Sequence, residues 1–261
     1  MKKIVVFCCL VLLCACARQP ALQTSPENRA VLEQRWQKFA ALGADEKSEP
    51  YRLQLSLRFG TEGDTRRVTA LFWGNSQRQL RLDVMAGVGT TVAKILEDGQ
   101  HFLVYSPSEN KAYFYQGATK PLLQVGVPVP FNLVHLADLL NGRYAAVFGK
   151  DFENTAFTAD GKAIYDLQGQ PGGRVTLNEQ GLPVAWQEQA NGKGWSMEIL
   201  YSDDPAPLPR RLNLAHSNGK RAIVLIKERE KVTQPFTKEQ MALPLPDNAP
   251  LLPLAKFKQQ Q

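Results

Sequence analysis

The residues that could carry catalysis are few and scattered along the chain. The three histidines, His101, His135 and His216, each stand alone among apolar or strand-forming residues. An enzyme site needs a nucleophile beside a base, or several metal ligands that converge. A lone histidine in such surroundings is usually structural. We therefore expect a protein that is not an enzyme.

Two further patterns are compatible with phosphate or metal chemistry. Gly87-Val88-Gly89 resembles part of a phosphate loop, but the Lys-Ser/Thr pair and the helix of that motif do not follow it. We interpret it as a turn. Asp203-Asp204 stand directly before Pro205, which favours a solvated turn over a cation site. We expect neither a metal nor a cofactor.

The cysteines are confined to the start of the chain. All four, Cys8, Cys9, Cys14 and Cys16, lie within the first 16 residues. Two lysines precede an apolar stretch over residues 4–13, as in a secretory signal peptide. That stretch is shorter than the roughly 20 residues needed to span a bilayer. After export the rest of the chain has no thiol for a disulfide or a thiolate metal site.

The end of this segment, Leu13-Cys14-Ala15-Cys16, resembles the lipobox of bacterial lipoproteins. The resemblance implies cleavage after Ala15 and acylation of Cys16, and two or more acyl chains give stable anchoring. Ala17, rather than Asp, implies the periplasmic face of the outer membrane. Residues 1–15 would be the signal peptide and residues 16–25 a lipidated tether. The alternative is an ordinary secretory signal with incidental cysteines.

The formal net charge of +6 is modest, and two of the lysines lie in the signal segment. Pairs such as Arg66-Arg67 and Arg210-Arg211 are spread along probable strands without interleaved stacking aromatics. Nucleic acid is therefore excluded as an expected partner. The charge suits solubility or an anionic membrane surface.

An amphipathic helix is predicted first, over residues 26–42. Ser25-Pro26-Glu27 supplies a cap, a first-turn proline and an acidic residue. Its apolar face is formed by Val31, Leu32, Trp36 and Phe39.

Short strands follow at regular spacing. The clearest covers residues 51–59, where apolar residues alternate with polar ones at the period of a half-buried strand. Asn191-Gly192 and Asn218-Gly219 are strong hairpin turns. The full set of predicted strands is 51–59, 67–73, 79–85, 91–97, 101–105, 112–115, 163–167, 174–177, 183–189, 195–201, 210–216 and 221–227.

One helix interrupts this meander. After two prolines in residues 126–130, Asn132 can cap a short helix that ends at Gly142. Its apolar residues, at helical spacing, are Leu133, Leu136, Leu139 and Leu140. An inserted helix of this kind is a natural lid or plug. Prolines after residue 234 indicate an extended edge or a tail over residues 235–261.

The fold class that follows is mainly β. Many short strands favour a barrel or a sandwich. Two helices are too few to cover a second sheet face, so we expect an antiparallel sheet that curves around them over residues 26–234.

Several segments, in the same order along the chain, resemble LolB, the outer-membrane receptor that takes lipoproteins from the carrier LolA. They are residues 70–73 with 79–84, the loop 86–90, residues 126–140, 191–195 and 209–226. The resemblance spans roughly residues 30–230 and implies a half-open antiparallel barrel with a helical lid. The chain departs from LolB in having Val88 at the loop tip, a longer stretch over residues 144–160, and the proline-rich tail.

The resemblance also implies a function. The apolar barrel cavity would accept acylated lipoproteins from a LolA-like periplasmic carrier and insert them into the outer membrane. Gly87, Val88 and Gly89 would form a membrane-insertion loop, although Val88 can also be a tucked-in hairpin residue. Residues expected at the cavity or its lid are Leu55, Leu57, Phe72, Phe131, Leu133, Leu136 and Leu140. The alternative function is a structural or accessory lipoprotein of an envelope assembly that uses the same barrel as an interaction module.

Overall fold

A computed structural model describes residues 25–42, 49–75, 79–87, 89–98, 100–116, 122, 129–169, 171–189, 191–202 and 208–256. Its helices are α1 (Pro26–Ala41), α2 (Leu133–Leu140), α3 (Tyr144–Phe148) and α4 (Lys238–Met241), with a 3-10 turn at Leu254–Lys256. The strands are β1 (Tyr51–Thr61), β2 (Asp64–Gly74), β3 (Leu80–Ala86), β4 (Thr90–Glu97), β5 (His101–Ser106), β6 (Lys111–Gln116), β7 (Phe152–Phe157), β8 (Ala163–Leu167), β9 (Arg174–Leu177), β10 (Pro183–Gln187), β11 (Trp195–Tyr201), β12 (Pro209–His216), β13 (Arg221–Lys231) and β14 (Leu251–Pro253).

All fourteen strands belong to one sheet, in the order β14-β6-β5-β4-β3-β2-β1-β13-β12-β11-β10-β9-β8-β7. Every pairing is antiparallel except that between β14 and β6. The edge strands β7 and β14 do not pair with each other, so the sheet is open. The mainly β, antiparallel and unclosed architecture is confirmed.

Strand β1, which the sequence predicts most clearly, lies in the middle of the sheet. It pairs with β2 on one side and with β13, far along the chain, on the other. Leu53, Leu55 and Leu57 are almost completely buried. They alternate with outward-facing polar residues, as the period-two pattern predicts.

Helix α1 packs on the face of the sheet that carries the core. Ser25 caps it by accepting from the Asn28 amide at 3.2 Å. The Trp36 indole donates to the Lys150 carbonyl at 2.8 Å, and its ring meets those of neighbouring aromatics. Leu32, Trp36 and Phe39 are buried as predicted, but Val31 is 45% exposed. The prediction that Val31 belongs to the buried face is wrong, because it lies off the narrow stripe formed by the other three.

The proline-rich C-terminal segment crosses the opposite, outer face of the sheet. Asn75 exchanges two hydrogen bonds with the backbone of Phe236, at 2.8 and 2.6 Å. Arg81, outward-facing and only 4% exposed, donates to the Ala242 carbonyl and lies over the Trp73 ring. The segment then joins the sheet edge as β14. The predicted extended edge is therefore present, and it also covers part of the outer face.

Two elements between α2 and β8 were not expected from the sequence. Helix α3 and strand β7 occupy the stretch between α2 and β8. Strand β7 extends the sheet by pairing with β8, with an irregularity between Phe152 and Asn154. The region that departs from LolB thus supplies one edge of the sheet.

Candidate functional site

Helix α2 lies against the apolar inner face of the sheet and is the centre of the candidate site. Asn132 caps it by accepting from the His135 amide at 2.7 Å, as predicted. Leu133, Leu136, Leu139 and Leu140 are buried in the main core. The spacing of these leucines explains why a helix so short is stable, because its burial compensates for the cost of nucleation.

A buried carboxylate holds the N-terminus of α2. Oε2 of Glu97, on β4, accepts from the Leu133 amide at 2.6 Å. Glu97 is 4% exposed, and the residues opposite it on neighbouring strands are Leu80 and Phe102. This burial raises the pKa of Glu97 to about 7, against the lowering effect of its hydrogen bond from Leu133.

A guanidinium group holds the other end of the helix. Arg229, on β13, donates through Nη2 to the Leu140 carbonyl at 2.6 Å and to the Pro209 carbonyl at 3.0 Å. Desolvation lowers the pKa of Arg229. The negative group at the N-terminus and the positive group at the C-terminus both complement the helix dipole. Glu97 and Arg229 thus attach the two ends of helix α2 to the sheet.

Between α2 and the middle of the sheet lies a small apolar cavity of about 20 Å³. Its wall includes Leu55, Leu57 and Phe59 of β1, Leu136 of α2, and Val224 of β13. That volume holds one water molecule at most, so it is far too small for an acyl chain. In the part of the chain that the structure describes, the space under α2 is therefore filled by the protein's own side chains.

A polar cluster lies near the C-terminal end of α2. Asp138 and Arg143 form a buried salt bridge, with Nε to Oδ1 at 2.7 Å. Both charges act on the hydroxyl of Tyr51, whose pKa is raised by burial. The aromatic rings of Tyr144 and Tyr201 pack edge to face beside them. Ionised and phenolic groups therefore meet at one end of an otherwise apolar layer.

The predicted cavity residues divide into two groups. Leu55, Leu57 and Leu136 line the cavity. The others are buried in the same core without lining it: Phe72, Phe131, Leu133 and Leu140. Their role in lipid binding stays a prediction.

The predicted membrane-insertion loop is described only through its two glycines. Val88 and Cys16 are outside the described residues. Gly87 and Gly89 have φ angles of +56° and +83°, so both adopt the left-handed backbone that glycine favours. A methyl group added at either would meet nothing within 4 Å. Both glycines of the turn therefore face open space.

Sequence reasoning missed the two residues that hold α2. Glu97 is 36 positions from Leu133, and Arg229 is 89 positions from Leu140. The one available signal was a charged residue at an inward-facing position of each strand. Such a residue needs a partner because an unpaired buried charge is costly.

The described residues contain no group of three or more His, Cys, Asp or Glu side chains that could hold a metal ion. His101 pairs with Asp98 at 3.1 Å on an exposed turn. No helix within the described part of the chain is both long and apolar enough to cross a membrane.

No protein-family model matches the chain, and no curated protein matches it. Among solved structures, a domain from Vibrio parahaemolyticus described as an outer-membrane lipoprotein-sorting protein domain aligns with a TM-score of 0.50. Its identity is 7%, and the alignment covers 81% of this chain and 94% of that one. The chain shares the fold of that lipoprotein-sorting domain. A LolA superfamily protein from Nitrosomonas europaea is 14% identical, with a TM-score of 0.49 over 81% of this chain and 97% of the other.

Proposed function

We propose that this protein is a lipid-binding lipoprotein without enzymatic activity. It is anchored through Cys16 to the periplasmic face of the outer membrane. It accepts acylated lipoproteins from a LolA-like periplasmic carrier, and it promotes their insertion into the membrane. The proposal is more specific than the fold, which is shared with a domain described as lipoprotein-sorting.

The observation that carries the proposal is the way α2 covers a leucine-rich floor. The helix contributes Leu136 to a wall that also includes residues of β1, β3 and β13 and, from the segment before α2, Leu122 and Val129. Polar contacts hold the two ends of the helix. Apolar side chains of α2 and an acyl chain would compete for the same surface. Displacement of α2 would exchange one set of apolar contacts for another, so the lid can open without a large loss of buried area.

Insertion is assigned to the turn between β3 and β4. Val88 stands between two glycines whose α-carbons face open space. Full burial of a valine side chain in a bilayer contributes on the order of 1.5–3 kcal/mol. This would favour release of the cargo at the membrane surface.

The experiment has two parts. Native mass spectrometry and lipid extraction of the purified protein are expected to reveal co-purified acylated cargo. Val88→Glu should leave folding and cargo binding intact while cargo accumulates off the membrane. Val31→Glu is the matched control, since Val31 is an exposed valine on α1, away from the turn. Unchanged insertion in the Val88 variant would refute the role of the turn.

The small cavity favours a second candidate function. A layer filled by its own side chains is what a structural or accessory lipoprotein of an envelope assembly requires. In that case the purified protein would carry no acylated molecule. Binding of added acyl chains would also be absent.

A further inference from the structure

Two buried polar atoms near the C-terminal end of α2 have no hydrogen-bond partner among the described residues. They are Oη of Tyr51 and Nη2 of Arg143. Tyr51 is 7% exposed and Arg143 is 6% exposed. A buried donor without an acceptor is costly, and native proteins contain few of them. Both donors lie in the region of the Asp138–Arg143 salt bridge, so one oxygen acceptor bound there could satisfy the two of them.

The backbone beside Tyr51 leaves its hydroxyl just enough room. A methyl group on Gly74 would lie 3.0 Å from Oη of Tyr51 and 2.7 Å from Leu80. The phenol therefore lies directly against a glycine. Burial raises its pKa, so the hydroxyl is a neutral group that is able to donate.

The charge of this region is not balanced. Asp138 pairs with Arg143, whereas Arg229 donates to the carbonyls of Leu140 and Pro209. Within the described residues no carboxylate forms an ion pair with Arg229. If α2 moved away, Leu140 would leave and Arg229 would regain a free donor. Asp138 lies on α2 and would move with it, so Arg143 would lose its carboxylate partner as well.

The inner row of β1 connects this region to the cavity. From Tyr51 it runs through Leu53, which is opposite Arg229, to the cavity residues Leu55, Leu57 and Phe59. These are alternate residues of one strand, so they span roughly 27 Å at about 3.4 Å per residue. One end of the row is polar and cationic, and the rest is apolar.

We propose that Tyr51, Arg143 and Arg229 bind the anionic head of a single-chain amphiphile, a carboxylate or a phosphate, whose acyl chain lies along β1 in place of α2. This inference rests on the proposed function, which supplies the opening of α2. It adds that the ligand has an oxyanion as its head group as well as an apolar chain.

The test compares ligands that have the same chain length and different head groups. Palmitate, hexadecyl phosphate and hexadecanol are titrated into the purified full chain by competition with a fluorescent fatty acid, and inorganic phosphate is titrated alone by calorimetry. The two anionic amphiphiles are expected to bind at least tenfold more tightly than hexadecanol, since hydrogen bonds to charged groups are the strong ones. Inorganic phosphate alone should bind at least a hundredfold more weakly than hexadecyl phosphate.

Tyr51→Phe separates a binding role from a structural one. Its hydroxyl has no hydrogen-bond partner among the described residues, so its removal should not lower stability in urea. Affinity for palmitate should fall about tenfold, while affinity for hexadecanol stays unchanged. Tyr105→Phe is the control, because that hydroxyl bonds Asn110 at 3.1 Å on the other face of the sheet.

Each alternative outcome has a distinct meaning. Equal affinities for palmitate and hexadecanol, or an unchanged affinity for palmitate in the Tyr51 variant, would overturn the head site and leave the proposed function standing. Equal affinities for hexadecyl phosphate and inorganic phosphate would overturn the claim that the ligand of this site carries an acyl chain. Failure of every long-chain ligand to bind would refute the proposed function together with this inference.

Discussion

Glu97→Gln is expected to stabilise the protein at neutral pH. The carboxylate of Glu97 is 4% exposed, and burial raises its pKa from the ordinary 4.5 to about 7. A difference of one in pKa corresponds to about 1.4 kcal/mol. Ionisation of Glu97 in the folded protein therefore lowers the free energy of unfolding by about 3 kcal/mol. Glutamine keeps an oxygen that accepts from the Leu133 amide but carries no charge.

The sign follows from proton linkage. The native state binds the Glu97 proton more tightly than the unfolded chain does, so the contribution of Glu97 to stability is greatest below pH 4.5. It decreases as the pH rises from 4.5 to 7, and above 7 the full penalty is present. The variant should therefore equal the native protein near pH 4.5 and exceed it by about 3 kcal/mol at pH 8.

Urea unfolding at a series of pH values measures this difference. Burial lowers the pKa of His135, which adds an opposite slope below pH 6.5, but that slope is common to both proteins and cancels. Glu153→Gln, at an exposed position on β7, is the matched control and should change nothing. A difference between Glu97→Gln and the native protein that is constant across the pH range would refute the reasoning. So would a variant that is less stable at pH 8.

Two further predictions concern the frame around the site. Leu254→Ala, in the core but contributed by the C-terminal segment, should lower the free energy of unfolding by about 2–5 kcal/mol in urea; a loss below 0.5 kcal/mol would mean that this segment is dispensable. Gly60→Ala should be destabilising by about 2–5 kcal/mol, because its methyl group would lie 2.0 Å from the Asp64 carbonyl oxygen at a positive φ. Gly63→Ala, in the same hairpin with open space around it, should lose only about 1–2 kcal/mol; equal losses in the two variants would contradict the steric argument.

The sequence predicts those elements whose residues form their own pattern. The alternation of β1 and the leucine spacing of α2 are local, so both elements were expected. Strand β7 has no clear alternation and depends on pairing with β8. Strand β14 has three residues, one of them proline, and depends on β6. Local periodicity cannot reveal a strand that exists only because a neighbour provides its hydrogen bonds.

The candidate site was predictable in its apolar part only. Leucines at inward-facing positions indicate a core, and Leu55, Leu57 and Leu136 do line the cavity. The groups that hold α2, Glu97 and Arg229, act across long sequence separations. Arg81 was equally hidden, since its burial depends on the C-terminal segment above it. Polar contacts between distant segments produce no periodic pattern in the sequence.

The pairing of β1 with β13 has a consequence for biogenesis. Leu57 lies opposite Val224, so the middle strand of the sheet lacks one neighbour until almost the whole chain has been synthesised. At about 5–20 residues per second, that interval is on the order of ten seconds or more. During it, one side of β1 offers unpaired amides and an apolar face to any other extended chain. Assembly from such distant partners is also intrinsically slow. A nascent chain of this topology therefore depends on being kept apart from its neighbours until its last hairpin arrives.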